Sequence, residues 1–361
     1  MHIVFVTRGL GRGGAERVIT RLVNNWHNKG VRCSVVLTEH HERFYSLPMA
    51  VEIYELEEYS DNNTINKIKK YRELRRIIKS IKADTVMAMP EDIGVYTILA
   101  LLGLKVPVYV SERNNPAKMP TGKLTRLLRT LLYPFAAGFI FQTNEASRYF
   151  PSYIRKRGIV LGNPLDLSEL PAPYMGEREK VIVSAGRFEE QKNFPLLVEA
   201  FSKFILNHPD YTLRIYGDGK CKSDILDAME MYGIQDKVEL PGVSRQLGED
   251  MKKCAMFVLS SDYEGMPNVL IEAMAVGLPV VSTECPSGGP AELIRNGYSG
   301  YLVPMGDSFA ISRRMCDYAE KPETAAVFGQ NAIDIRNRLN SEKICAKWYD
   351  FITEKVDVGM I

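Results

Sequence analysis

Short apolar runs alternate along this chain with longer stretches whose hydrophobic positions recur every three to four residues. HIVFVT (2–7), RCSVVLT (32–38), VEIYEL (51–56), TVMAMP (85–90), VPVYVS (106–111), GFIFQT (138–143) and GIVLGNP (158–164) read as strands. Between them lie helical patterns, among them GGAERVITRLVNNWHNKG (13–30) and GVYTILALLG (94–103). The rhythm returns after residue 179 with KVIVSAG, YTLRIYG, KVELPG, AMFVLSS, PVVST and GYLVP, again separated by amphipathic segments. Short β-rich runs alternating with helices predict parallel sheets covered on both faces. The stretch GNPLDLSELPAPYMGERE (162–179), rich in Pro, Gly and charge, is the expected linker. The reading is α/β twice over: a domain at 1–165, a second at 166–340, and a C-terminal helix at 341–361. Trp348, Tyr349 and Phe351 give that helix apolar groups to pack back on the first domain.

Composition changes little in this picture. A length of 361 residues suits two domains, and 45% hydrophobic with 25% charged residues describes an ordinary globular chain. Six scattered cysteines form no C-x-x-C pair and no His/Cys cluster, so the expectation is reduced thiols, a cytoplasmic setting and no zinc site. MHIVFVTRGLG reads as a first strand rather than a signal peptide. Arg129 and Lys105 interrupt the two longest apolar candidates, so no membrane span is expected.

Charge is more informative. Residues 1–165 hold 25 Lys and Arg against 14 Asp and Glu, whereas 166–361 hold 21 against 30. The near-neutral total therefore hides a basic half and an acidic half with different partners. In the basic half, NKIKKYRELRRIIKSIK (66–82) and KLTRLLRTLLYPFAAG (123–138) are helix-like. Leu127, Leu128, Leu131 and Leu132 lie beside Lys123, Arg126 and Arg129, a pattern that suits an anionic membrane surface or a solvated basic face over a core-facing stripe. The aromatic interleaving of a nucleic-acid binder is missing from both helices, so no nucleic-acid partner is expected.

Ligands of parallel sheets gather in strand-to-helix loops. In SAGRFEEQKNFPLL, Asn193 is a good helix N-cap with Pro195 in the first turn, and Arg187 and Lys192 bracket the loop. Two cations beside free backbone N–H groups make an anion site, for which a diphosphate is the expected guest; ordinary ion pairs to Glu189 and Glu190 are the alternative. In SSDYEGMPNVLIEAMAVG, Glu264 precedes a helix that opens near Pro267, and Glu272 falls four residues after Asn268 on the same face. A carboxylate in an apolar helix is costly unless it is hydrogen-bonded or paired. Glu272 could receive the two hydroxyls of a ribose or pair with a core arginine. CPSGGPAELI (285–294) offers backbone N–H groups at Ser287, Gly288 and Gly289, or a plain glycine turn with Glu292 at the helix start.

The order of GRGGAERV, VLGNPLD, GRFEEQKN, the Glu264-x7-Glu272 pair and SGGPAELI resembles the retaining glycosyltransferases of family 4, across the whole chain. That resemblance implies a GT-B fold, two Rossmann-like domains facing a central cleft, with acceptor bound to the first and nucleotide sugar to the second. It implies Arg187 and Lys192 on the donor diphosphate, Glu272 on the ribose and Glu264 near the transferred sugar. Gly265, Met266 and Asn268 would join the donor site, and Gly13 and Gly14 would let backbone N–H groups approach the phosphate and sugar. Glu16, Glu112, Arg113 and Asn163 would fall on the acceptor side. Many family members carry a His after the fourth strand; here YVSERNNPAK (109–118) has none. Arg113 could instead stabilise phosphate charge, and Glu112 could orient or deprotonate the acceptor hydroxyl. No enzyme nucleophile is called for, since the family's usual proposal has the leaving diphosphate deprotonate the acceptor. No Asp-x-Asp clasp stands near these loops, so neither metal nor resident cofactor is expected.

The wording GGAERV and SERNNP looks most like bacterial enzymes that extend surface polysaccharides or lipid-linked oligosaccharides. It implies a UDP-linked hexose or N-acetylhexosamine donor, a glycan or polyprenyl-diphosphate-linked acceptor, and peripheral attachment to the inner membrane face. One competing class remains: Gly9, Gly11 and Gly14 satisfy G-x-G-x-x-G after a strand, with Glu39 at the end of the next, the fingerprint of an NAD-dependent oxidoreductase.

Overall fold

In a computed structural model, which describes residues 1–11, 13–40 and 42–354, the chain forms two compact units, Met1–Pro164 with Ser341–Ile361, and Leu165–Asn340. The first carries a seven-stranded sheet in the order β3-β2-β1-β4-β5-β6-β7. Its strands are β1 (His2–Thr7), β2 (Arg32–Leu37), β3 (Glu52–Glu55), β4 (Thr85–Ala88), β5 (Val108–Ser111), β6 (Gly138–Phe141) and β7 (Gly158–Val160). Every pairing is parallel, in continuous register from His2 opposite Arg32 to Phe141 opposite Val160.

β1, β4, β5 and β6 are buried along their whole length, which is why they read as unbroken apolar runs rather than as alternations. Helices α1 (Gly14–Asn28), α2 (Asn63–Ser80), α3 (Glu91–Leu101) and α4 (Lys123–Leu132) lie between successive strands of this unit. α2 and α4 fall on the two basic segments, α4 ending at Leu132 and passing into a short 3-10 turn at Tyr133–Phe135.

The second unit repeats the plan with six strands in the order β10-β9-β8-β11-β12-β13. They are β8 (Glu179–Ala185), β9 (Thr212–Tyr216), β10 (Val238–Gly242), β11 (Cys254–Leu259), β12 (Val280–Thr283) and β13 (Tyr301–Val303). α5 (Phe194–Phe204) follows β8, and α6 (Asn268–Ala275) follows β11. Phe188, Phe194, Phe201 and Phe204 build the core around α5.

The last helix, α7 (Ser341–Thr353), belongs to the first unit. Trp348 is fully buried, Trp26 Nε1 donates to the Cys345 carbonyl at 3.0 Å, and Tyr349 meets the Trp26 ring edge-on at 5.8 Å. Phe351 meets Tyr109 in the same manner. Residues 355–361 of the expected terminal segment lie outside the described residues.

In both sheets the chain winds outward one way and then returns to wind the other way. The reversal falls between β1 and β4 in the first unit and between β8 and β11 in the second. Helices leave to opposite faces there, so the carboxyl ends of those two strands bound a crevice where ligands settle in such sheets. Among the described residues no helix is long and apolar enough to cross a membrane.

Candidate active site

The loops after β8 and β11 flank the reversal in the second unit, and the structure joins them through charge. Lys192 Nζ stands 2.5 Å from Glu264 Oε1. The same oxygen accepts from Ser261 Oγ at 2.7 Å, and Gln191 Nε2 reaches Oε2 at 3.3 Å. Glu264 is only 5% exposed, so these donors replace the water that the carboxylate has lost. Backbone contacts fasten the two loops further: Asp262 N–H donates to the Gln191 carbonyl at 2.9 Å, and Ser260 Oγ to that of Lys192 at 3.0 Å. Asn193 closes the arrangement. It caps α5 by accepting from Leu196 N–H while its amide donates to Asp262 Oδ1 at 2.9 Å.

Arg187 stands apart from that pairing. It is exposed, with Glu189 Oε1 at 4.0 Å, while Glu190 is taken by Lys220 at 3.2 Å. The ion pairs to Glu189 and Glu190 envisaged for this loop are thus one marginal contact and none. Glu272 lies a turn inside α6, 4% exposed among buried Ile271, Ala273 and Met274, with Asn268 one turn before it. Met266 and Gly265 precede that helix and are buried. A side chain at Gly289 would place its Cβ 1.6 Å from the Gly265 carbonyl oxygen, so only glycine lets the 285–294 loop close on the Glu264–Met266 loop. Ser287 and Gly288 turn this loop with left-handed φ values of 81° and 72°.

In the first unit, the chain beyond β5 gathers the other group of residues. Arg113 Nη2 donates to Asn163 Oδ1 at 2.6 Å, an oxygen that also accepts from Gln142 Nε2 at 2.9 Å. Arg113 N–H donates to Glu91 Oε2 at 3.2 Å. Burial pulls the Arg113 guanidinium down to about 10, opposed by the nearby carboxylates of Glu91 and Glu16. Its Nε and Nη1 are buried without a hydrogen-bond partner. Glu16 itself folds back on Gly13 at the start of α1; a Cβ on Gly13 would sit 2.0 Å from its Oε2. Across the crevice between β1 and β4, Arg8 pairs with Asp92. Arg113, Asn163 and Glu16 are thereby brought together, with Gly13 and Gly14 beside Glu16 at the head of α1.

Glu112 departs from its expected role. It is fully buried, its Oε1 accepts from Tyr133 O–H, and Oε2 has no partner. Neighbouring residues of an extended chain point to opposite sides, so a chain that offers Arg113 to Asn163 turns Glu112 inward. Burial, then the nearby Glu91 carboxylate, pushes the Glu112 carboxyl up to about 8. A neutral carboxyl under a tyrosine has no open path to an acceptor hydroxyl, and the general-base role is withdrawn.

Sequence reasoning passed over four residues that the structure brings to these groups. Ser261 and Gln191 sit inside the two flagged loops. Glu91 had a signal of its own, as an acidic start to an otherwise apolar helix. Tyr133 gave none.

Both halves of the chain match known protein families. Residues 12–169 match the model described as Glycosyltransferase Family 4, and residues 172–334 match that of Glycosyl transferases group 1. Together the two models span most of the chain, which is a glycosyltransferase with a family 4 domain followed by a group 1 domain. It is 28% identical over 321 residues to a Campylobacter jejuni GalNAc-alpha-(1->4)-GalNAc-alpha-(1->3)-diNAcBac-PP-undecaprenol alpha-1,4-N-acetyl-D-galactosaminyltransferase, covering 87% of this chain and 88% of that one. It is 24% identical over 351 residues to the amylovoran biosynthesis glycosyltransferase AmsD of Erwinia amylovora, covering 94% and 96%. The crystal structure of Anabaena HepE with UDP and glucose superposes with a TM-score of 0.82 at 17% identity, covering 98% and 99% of the two chains. That likeness establishes the GT-B fold. The oxidoreductase alternative built on Gly9, Gly11 and Gly14 falls with the glycosyltransferase assignment; Gly14 begins α1, and Gly9 and Gly11 lie in the loop before it.

Two stability predictions follow from the charges of the transferase. Lys192→Ala strands a buried carboxylate and should cost about 3 kcal/mol in denaturant unfolding, whereas Glu264→Gln leaves a lysine able to reach solvent and should cost about 1 kcal/mol. Equal costs would contradict the pairing. The folded-state pKa of Glu112 is raised, so the native protein holds a proton that the unfolded chain releases near pH 4.5, and stability is lost as pH rises from there to about 8. Glu112→Gln keeps the Tyr133 contact without the charge. It should leave the Tm unchanged at pH 4 and raise it by several degrees at pH 8.5.

Proposed function

We propose that this glycosyltransferase moves a hexose or N-acetylhexosamine from a UDP-linked donor to a lipid-linked glycan, with retention of anomeric configuration. The observation that carries the reading is the Lys192–Glu264–Ser261 junction at the β8/β11 reversal, with exposed Arg187 at its edge and buried Glu272 one helical turn beyond. Arg187, Lys192 and the start of α5 form a cationic setting for a diphosphate, and Glu272 offers a carboxylate for the ribose hydroxyls. Glu264, held by its donors, faces the transferred sugar alongside Gly265, Met266 and Asn268. The Campylobacter relative is named for an undecaprenol-linked acceptor, and HepE was crystallised with UDP and glucose, which supports both halves of the proposal.

In the first unit, Arg113 presents two nitrogens, Nε and Nη1, that no group among the described residues uses, beside Asn163 and Glu16. They suit the phosphate or hydroxyl groups of an acceptor. Without a recognisable enzyme nucleophile, the leaving diphosphate takes the acceptor proton as the new glycosidic bond forms on the same face. Arg187 and Lys192 hold the negative charge that builds on the departing UDP. No resident cofactor or metal belongs to this proposal, and the enzyme works at the cytoplasmic face of a membrane.

The test incubates the protein with UDP-Glc, UDP-GlcNAc or UDP-GalNAc and a polyprenyl-diphosphate-linked saccharide, following UDP release and the anomeric proton of the product. One donor should give an α-linked product, undiminished by EDTA, and Glu272→Ala should lower turnover at least a hundredfold. A β-linked product, or a Glu272→Ala variant with full turnover, would refute the assignment.

A further inference from the structure

Helix α4 carries its apolar residues on the outside. Leu124, Leu127 and Leu131 are 68%, 57% and 58% exposed, and Phe135, just past the helix end, is 64% exposed. Their spacing of three, four and four residues places them on one face. Leu128 and Leu132 point inward instead, and Leu132 joins the core with Tyr133 and Phe150. Tyr149, half exposed, lies with its ring 5.1 Å from Arg129 Cζ, on the inner side of the helix. A contiguous row of leucines and a phenylalanine in water calls for a cover.

Two of the basic residues that suggested a cationic helix do a different job. Arg126 donates from Nε to the Pro120 carbonyl at 2.6 Å and from Nη2 to that of Lys118 at 2.7 Å. Arg129, buried, holds the carbonyls of Met119 and Pro116 at 2.8 and 3.0 Å. These arginines tie α4 to the loop that begins three residues after Arg113. The exposed positive charge comes from Lys118, Lys123, Arg148, Arg155 and Lys156. Between residues 113 and 160 the chain holds nine Lys and Arg against a single acidic residue, Glu145.

We propose that the outer face of α4, Leu124, Leu127, Leu131 and Phe135, inserts into the headgroup region of an anionic bilayer, and that the Arg126 and Arg129 braces hold the loop after Arg113 at a fixed position from that surface. A helix of ten residues, about 15 Å long, with leucines on one side and cations around it, lies flat in a lipid interface rather than across it. Charge selects the occupant. The exposed cations favour anionic headgroups, whereas pairing this face with that of a second copy would bring two cationic surfaces together. The proposal deepens the lipid-linked acceptor reading and rests on it. It turns a general membrane association into one helix face, mechanically joined to the residues that would receive the acceptor.

Co-sedimentation with phosphatidylcholine vesicles, with and without 30% phosphatidylglycerol, tests it. The full chain should bind the anionic vesicles, bind the neutral ones at least tenfold more weakly, and release from the anionic ones as salt rises. Leu127→Ser with Leu131→Ser should weaken binding to anionic vesicles at least tenfold while leaving UDP affinity unchanged, which shows the variant folded. Lys123→Glu with Arg148→Glu should do the same and reduce the salt dependence. Unchanged vesicle binding in the leucine variant would overturn the proposal. So would a wild-type protein that ignores anionic vesicles, or a leucine variant whose loss is of self-association in sedimentation velocity. Vesicle binding by a protein that takes no UDP would sink the donor reading and leave the docking face standing; UDP binding without vesicle binding would do the reverse.

Discussion

Lys192 and Glu264 lie 2.5 Å apart in a place where the carboxylate would be stranded without the lysine. Each comes from a loop at the carboxyl end of a strand, and the two strands, β8 and β11, are neighbours in the sheet although about 70 residues separate the loops. Removing a carboxylate from water costs several kcal/mol, and the ammonium, with Ser261 and Gln191, offsets it. The contact therefore fixes the distance between the loops and the direction in which α5 and α6 leave them. What surrounds it follows. Asn193 can cap α5 and hold Asp262 at once, Glu272 is carried to a set depth along α6, and the close approach of Gly289 to Gly265 adds the third loop.

Doubly wound sheets place such a junction at the reversal of strand order, and both units of this chain obey that rule. The first unit has its own version in Arg8 and Asp92, with Arg113, Asn163 and Glu16 gathered from the loops around it. A single topological constraint, repeated, thus gathers the cations proposed for the diphosphate in one unit and the donors proposed for the acceptor in the other. Glycosyl transfer between two large substrates needs both.

Much of this was legible in the residue pattern. Strands buried on both faces announce themselves as apolar runs, and eleven of the thirteen strands lie wholly within the segments expected from the pattern, with β8 and β11 each starting one residue earlier; β3 (Glu52–Glu55) is among the eleven despite being only partly buried. Asn193 with Pro195 gave the start of α5 through capping chemistry. The direction of side chains was not legible. Leu127 and Leu128 are equally apolar, and only packing against the sheet tells which one faces the core. Arg129 reads as a surface cation in sequence, yet three hydrogen-bond acceptors and two rings hold it inside. Glu112 and Arg113 are adjacent, and the alternation of an extended chain sends them to opposite sides. Charge in sequence shows where ions are needed, not which of them water will reach.

The central claim is that the β8/β11 reversal binds the nucleotide diphosphate. Titration calorimetry of UDP against the wild-type protein and Arg187→Ala tests it most directly, because Arg187 is exposed with one marginal partner at 4.0 Å, so its loss should leave the fold intact. The account predicts at least tenfold weaker binding in the variant, with an unchanged melting temperature in the absence of ligand. Equal affinity in the two proteins would mean that the diphosphate sits elsewhere.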